Sequence, residues 1–189
     1  MKERLIYKLL QSEQTVFSLN EIALIGEAKE TANLKSKINY YVKTGLLLNI
    51  RKGFYAKPKY NIEELACKLY TPAYISLDYV LQKEGVVFQY DTEITTVSYL
   101  SRSITVENYK LRYRKIKHSV LLNTAGIQRL DNGINIATAE RAVLDSLYLN
   151  KSGYFDNIEK LDVNFMKKNL KTYQSKAMEN LFNQSFKNV

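Results

Sequence analysis

The side chains with the most chemistry to offer lie between Asn33 and Lys52. Asn33, Ser36, Asn39 and Tyr40 carry amide and hydroxyl groups suited to base edges, and Lys35, Lys43, Arg51 and Lys52 carry cations suited to phosphate oxygens. That mixture belongs to a nucleic-acid-binding surface, because neutralised phosphates release condensed counterions while amides discriminate between bases. Bond-breaking chemistry has far less to work with. His118 is the sole histidine and Cys67 the sole cysteine, which excludes histidine-rich and multi-cysteine metal sites and any internal disulfide. Cys67 lies in LACKLY, where a helix is expected, and reads as a buried, inert thiol rather than a nucleophile paired with His118. Nuclease chemistry needs carboxylates converging on a metal ion, with a lysine near the reacting phosphate. The Glu27, Ala28, Lys29 triplet falls between expected helices, and Asp91 with Glu93 has no lysine beside it. The seven glycines are scattered and form no phosphate-cradling loop. The expectation is a binding protein, not an enzyme, with neither metal nor cofactor.

The elements that position these residues follow from spacing. Leu34, Ile38, Tyr41 and Val42 recur on one face of a helix, which leaves Asn33, Ser36, Asn39, Tyr40 and Lys43 on the other, flanked by Lys35 and Lys37. Gly45 follows the last periodic residue, where a left-handed helix end suits glycine. Leu46 to Ile50 reads as a short buried strand, Arg51 to Gly53 as a turn, and Phe54 to Ala56 as a returning strand stopped by Pro58. Upstream, Leu5, Ile6, Leu9 and Leu10 stripe a first helix. Ser18 and Glu21 match a capping box opening a second, with Phe17 packing on Ile22 and Gly26 ending it. Three helices and a two-stranded wing within about 60 residues predict a winged helix-turn-helix whose third helix enters a major groove. The same order of elements also serves protein–protein modules.

Charge points the same way. From Lys29 to Lys59, Lys29, Lys35, Lys37, Lys43, Arg51, Lys52, Lys57 and Lys59 face Glu30 alone, and this segment holds most of the formal net charge of +9. The 189 residues allow two small domains, read as 1–60 and 61–189. Hydrophobic residues at 46% and charged residues at 25% describe a chain that folds throughout. No apolar run approaches the roughly 20 residues of a membrane span, so the expectation is a soluble cytoplasmic protein without a membrane partner.

The second domain opens with a helix over Ile62 to Tyr70, ended by Thr71 and Pro72, and a helix over Leu77 to Glu84 capped by Ser76. Ile94 to Leu100, Ser103 to Val106, Tyr109 to Lys117, Val120 to Leu122 and Ile134 to Ala137 read as strands of an antiparallel sheet. Helical spacing returns over Thr138 to Leu149, with a break at Ser152 and Gly153. Asp162 then caps a helix, and a last one is striped by Met178, Leu181 and Phe182; both are expected to cover the sheet. The class is therefore α+β: an N-terminal winged helix-turn-helix, then a mixed helix and antiparallel-sheet domain with C-terminal helices. Within YKLRYRKIK, alternation gathers Lys110, Arg112 and Arg114 into a second basic face, which either contacts nucleic acid or an acidic protein or blocks edge pairing.

KLYTPAYISLDYVLQKEGV, ITTV, YRKIK and INIATAERAVLDSLYL together resemble the AbiEi family of antitoxins from bacterial type IV toxin–antitoxin systems. The likeness runs from the N-terminal winged helix to about Leu149 and is most specific in Lys68 to Gly85 and Ile136 to Leu149. It implies a winged helix that binds repeats in the operon's own promoter and a C-terminal domain that counters a cognate nucleotidyltransferase-like toxin. It implies double-stranded DNA and that toxin as partners, with two copies pairing on an inverted repeat. The helix face and wing turn carry over as DNA contacts; TPAYISL and ATAERAVLD read as core and cap positions. A stand-alone winged-helix transcription factor and a nucleic-acid-processing enzyme are the alternatives, and a nucleotidyltransferase-like gene next door would favour the antitoxin over a lone regulator.

Overall fold

The computed structural model describes residues 2–27, 32–89, 91–151 and 154–187. Ala28 and Lys29 of the candidate nuclease triplet, the turn expected before the third helix, and the expected break at Ser152 and Gly153 lie outside the described residues. The chain divides into two compact units, Met1–Leu65 with Asp131–Gly133, and Ala66–Leu130 with Ile134–Val189.

In the first unit the order is α1 (Lys2–Gln11), β1 (Val16–Ser18), α2 (Leu19–Ile25), α3 (Ala32–Lys43), β2 (Leu48–Arg51) and β3 (Phe54–Ala56). The capping box is present: the Ser18 hydroxyl accepts from the Glu21 amide and the Glu21 carboxylate accepts from the Ser18 amide. Leu5, Leu9, Phe17, Ile22, Leu34, Ile38, Tyr41 and Leu47 form one apolar cluster, and burying each such side chain contributes about 1.5–3 kcal/mol. The cluster clamps α3 by its apolar stripe and turns the opposite stripe outward. Val16–Ser18 pairs antiparallel with β3, giving a three-stranded sheet in the order β1-β3-β2. This strand is too short to stand out in the sequence, where Phe17 is legible only as a cap-packing residue. Glu64, 1% exposed, accepts hydrogen bonds from the Thr15 and Val16 amides at 2.7 and 2.9 Å and from the Thr15 hydroxyl. Its carboxylate thereby satisfies backbone donors at the head of β1 that burial would otherwise leave unpaired.

The second unit contains a six-stranded sheet in the order β6-β7-β5-β4-β9-β8, formed by β4 (Ala73–Ile75), β5 (Ile94–Ser98), β6 (Arg102–Val106), β7 (Tyr109–Lys115), β8 (Ile127–Arg129) and β9 (Asn135–Ala137). The chain is α+β, as the sequence predicts, but this sheet is mixed and not antiparallel throughout. β7 lies parallel to β5 because β6 turns out to the edge and pairs only with β7, and β4 runs parallel to β9. Strands β4 and β8, three residues each, escape periodicity altogether. Val120 to Leu122 is no strand: α6 (His118–Leu121) buries the adjacent Val120 and Leu121 together, which a helical turn allows and an alternating strand does not.

α4 (Ile62–Leu69) covers the face that carries Ile75, Thr96 and Tyr113, where the Tyr113 hydroxyl donates to the Ala66 carbonyl. α5 (Asp78–Lys83) and α7 (Ala139–Leu149) cover the face that carries Tyr74, Val97 and Arg114. Ser76 is not the cap of α5. Its hydroxyl donates to Asp145, and the Thr95 hydroxyl takes the cap's place by accepting from the Tyr79 amide. Thr138 does cap α7, and Asp162 and Ser175 cap α8 (Val163–Asn169) and α9 (Lys176–Ser185). These last two helices pack on α7, which in turn lies on the sheet.

Candidate nucleic-acid interface

Asn33, Lys35, Ser36, Asn39, Tyr40 and Lys43 are all exposed on α3, while Leu34, Ile38 and Tyr41 behind them are buried. The helix is 12 residues long, about 18 Å at 1.5 Å per residue. It ends where Gly45 takes φ +73, which brings the Leu46 amide to the Tyr41 carbonyl at 2.9 Å. The chain then runs into the β2–β3 hairpin, whose register shifts between Asn49 and Arg51 and whose turn requires Gly53 at φ +81. That turn leaves Lys52 exposed, with Arg51 half-buried beside it. No acidic residue occurs between Ala32 and Lys59, so no carboxylate within the segment cancels its field.

Lys57 does not belong to that cationic surface. Its ammonium donates to the Leu10 and Ser12 carbonyls at 3.0 and 2.6 Å and so closes the end of α1. On the flank of α3 a hollow of about 170 Å³ is lined by Asn33, Ser36, Lys37, Tyr40 and Tyr41. Sequence reasoning placed Tyr41 in the core and did not find this recess. The Tyr40 ring, half exposed, meets the Tyr41 ring edge-on at 6.1 Å between centroids and 64° between planes, and the Ser36 hydroxyl donates back to the Ala32 carbonyl.

The second basic face is only partly free. Lys110 is exposed, and Arg112 reaches Glu93 at 3.5 Å. Arg114 is drawn inward: it donates to the Asn150 side chain at 2.9 Å and to the Leu149 carbonyl at 3.3 Å, at the C-terminal end of α7. Burial, and then the neighbouring Arg112, push its pKa below the ordinary guanidinium value. Arg114 is therefore a helix-end ligand and not an open phosphate contact.

Titratable groups also converge inside the second unit. Arg141 and Asp145, 2% and 0% exposed, pair at 3.2 Å. The guanidinium donates further to the carbonyls of Val120, Asn123 and Ala125 and to the Tyr74 hydroxyl. Asp145 accepts from Ser76 at 2.8 Å and from Tyr173 at 2.6 Å. Burial, then Asp145, raise the pKa values of Tyr74 and Tyr173 above the ordinary phenol value. Such a cluster is the place to look for catalysis. Yet all five guanidinium hydrogens are occupied by protein acceptors, so the cluster is a structural clasp. Cys67, also buried, donates to the Asn135 carbonyl. Among the described residues no group of three histidine, cysteine or acidic side chains is placed to hold a metal ion, and no helix is long and apolar enough to cross a membrane.

Neither the family models nor the curated proteins compared with this chain match it. Among solved structures it is similar to the crystal structure of the RV2827C protein from Mycobacterium tuberculosis, with a TM-score of 0.53 at 11% identity, over 97% of this chain and 76% of that one. What the two share is the fold.

Two measurements check this division of roles. Arg114→Ala should lower stability in urea by about 1.5–3 kcal/mol, the worth of hydrogen bonds from a charged donor, whereas Lys110→Ala should stay within about 0.5 kcal/mol. Because the folded state holds the Tyr74 and Tyr173 protons more tightly than the unfolded chain, stability is complete below the unfolded phenol pKa of about 10 and falls as pH rises above it. Each tyrosine should add about 1.4 kcal/mol per pH unit to that decline, and Tyr74→Phe should make the decline measurably shallower in alkaline denaturation.

Proposed function

We propose that this chain is a DNA-binding autorepressor and antitoxin of a type IV toxin–antitoxin operon, similar to the AbiEi family, which binds its own promoter and counters a nucleotidyltransferase-like toxin. The observation that carries the DNA-binding half is the exposed stripe of α3, with its amides, hydroxyls and lysines, followed directly by a hairpin turn bearing Arg51 and Lys52. The element order of the first unit and its sheet order β1-β3-β2 suit a winged helix. In this reading α3 enters the major groove, which is about 12 Å wide. Asn33, Ser36, Asn39 and Tyr40 face base edges, Lys35 and Lys43 reach phosphates on either side, and Arg51 and Lys52 hold the backbone next to the groove.

The antitoxin half rests on the resemblance of Lys68 to Gly85 and Ile136 to Leu149. Two copies on an inverted repeat fit a promoter with paired half-sites. The Arg141 guanidinium, with every hydrogen taken by a protein acceptor, supports a reading of binding.

Binding of the full chain to DNA from directly upstream of its gene should weaken steeply with salt. Lys43→Ala and Arg51→Ala should each reduce the slope of log K against log salt by about 0.9. Unchanged slopes in a gel-shift series would remove these residues from the interface. Co-expression with a nucleotidyltransferase-like neighbour should restore growth that the neighbour alone arrests; continued arrest would contradict the antitoxin half.

A further inference from the structure

The same face carries information about which bases it reads. We infer that the hollow beside Tyr40 receives the C5-methyl group of a thymine, while Asn33 pairs with an adenine, so that α3 selects A·T base pairs; this rests on the DNA-binding reading above. The residue types of α3, ANLKSKINYYVK, point in this direction. Asparagine matches adenine, whose N6 and N7 atoms offer one donor and one acceptor to a single amide. Guanine is read most often by arginine, and α3 has none; cytosine N4 is read by carboxylates, and α3 has none of those either. Of its lysines, which can also reach guanine, Lys43 is in the last turn, Lys35 lies on the other flank of the exposed stripe, and Lys37, half-buried, lines the hollow itself.

The recess supplies the apolar half of the match. Tyr41 is 2% exposed and held in the core, so its ring fixes the inner wall, and the 55% exposed Tyr40 ring stands against it edge-on. The Lys37 stem, half-buried, and Ser36 complete the rim. The Ser36 hydroxyl hydrogen is already given to the Ala32 carbonyl, so Ser36 itself offers the base no donor. Asn33 opens onto the same hollow of about 170 Å³, which places an adenine-reading amide beside a tyrosine-walled recess with ample room for a methyl group. The step they fit is an adenine adjacent to a thymine on the major-groove floor. The absence of acidic residues from Ala32 to Lys59 suits an anion such as DNA and not a cationic ligand.

The test measures affinity of the full chain for duplexes from upstream of its gene, with each thymine replaced in turn by deoxyuridine, which deletes only the methyl group. At one or more thymines per half-site the wild-type protein should bind the uracil duplex about fourfold more weakly, the worth of one buried methyl group. Tyr40→Ala should abolish that preference and Tyr40→Phe, which keeps the ring, should retain it. Asn33→Ala should likewise lose its sensitivity to 7-deazaadenine at the neighbouring position. Equal affinity for thymine and uracil at every position, or a preference that survives Tyr40→Ala, overturns the methyl assignment while leaving DNA binding intact. No salt-dependent binding by the wild-type protein to any duplex overturns both.

Discussion

The second unit is organised around one buried guanidinium. Arg141 ties β4, through Tyr74, to the carbonyls of Val120, Asn123 and Ala125 and to its own helix through Asp145, which Ser76 and Tyr173 secure from two further sides. Taking such a pair out of water costs several kcal/mol per ion, recovered only when every remaining donor and lone pair is matched. Here the matching is complete on the arginine side. Loss of either partner would strand a charge in the interior, a change worth about 3–5 kcal/mol. Register therefore matters more here than in an all-apolar core: displacing β4 by one residue would turn Tyr74 and Ser76 to the opposite face of the sheet.

The first unit follows a different logic. Its core is made of aliphatic and aromatic side chains, and the buried Glu64 carboxylate accepts from the head of β1. Among the described residues the cations around the outward stripe of α3 are exposed, with the exception of the half-buried Lys37 and Arg51 and of Lys57 at the end of α1.

How much of this was legible in the sequence depended on the range of the interactions. Local signals read well. The Ser18–Glu21 capping box, the stripe Leu34, Ile38 and Tyr41, the helix end at Gly45, and the cap Asp162 all depend on neighbours within four residues. Long-range choices did not read. Ser76 looked like a helix cap because its competing partner, Asp145, is 69 residues away, and Arg114 looked like an open cation because Asn150 lies on another element. The parallel pairing of β5 with β7 was hidden for the same reason: periodicity marks a strand without naming its neighbour. TPAYISL and ATAERAVLD read as core and cap segments, and the structure adds that they meet, since Tyr74 and Ser76 come from one and Arg141 and Asp145 from the other. The outward face of α3 was legible residue by residue; its recess was not, because it forms between Tyr40 and a neighbour that spacing assigns to the core.

The central claim is that α3 and the hairpin turn are a DNA-contacting surface. The most direct measurement is an NMR titration of the isotope-labelled full chain with a duplex from upstream of its gene, following every backbone amide. The largest shifts should fall at Asn33 through Lys43 and at Arg51 and Lys52, and should fade as salt is raised. Shifts concentrated instead on Lys110 to Lys115, or absent from α3 while the duplex is bound, would contradict it.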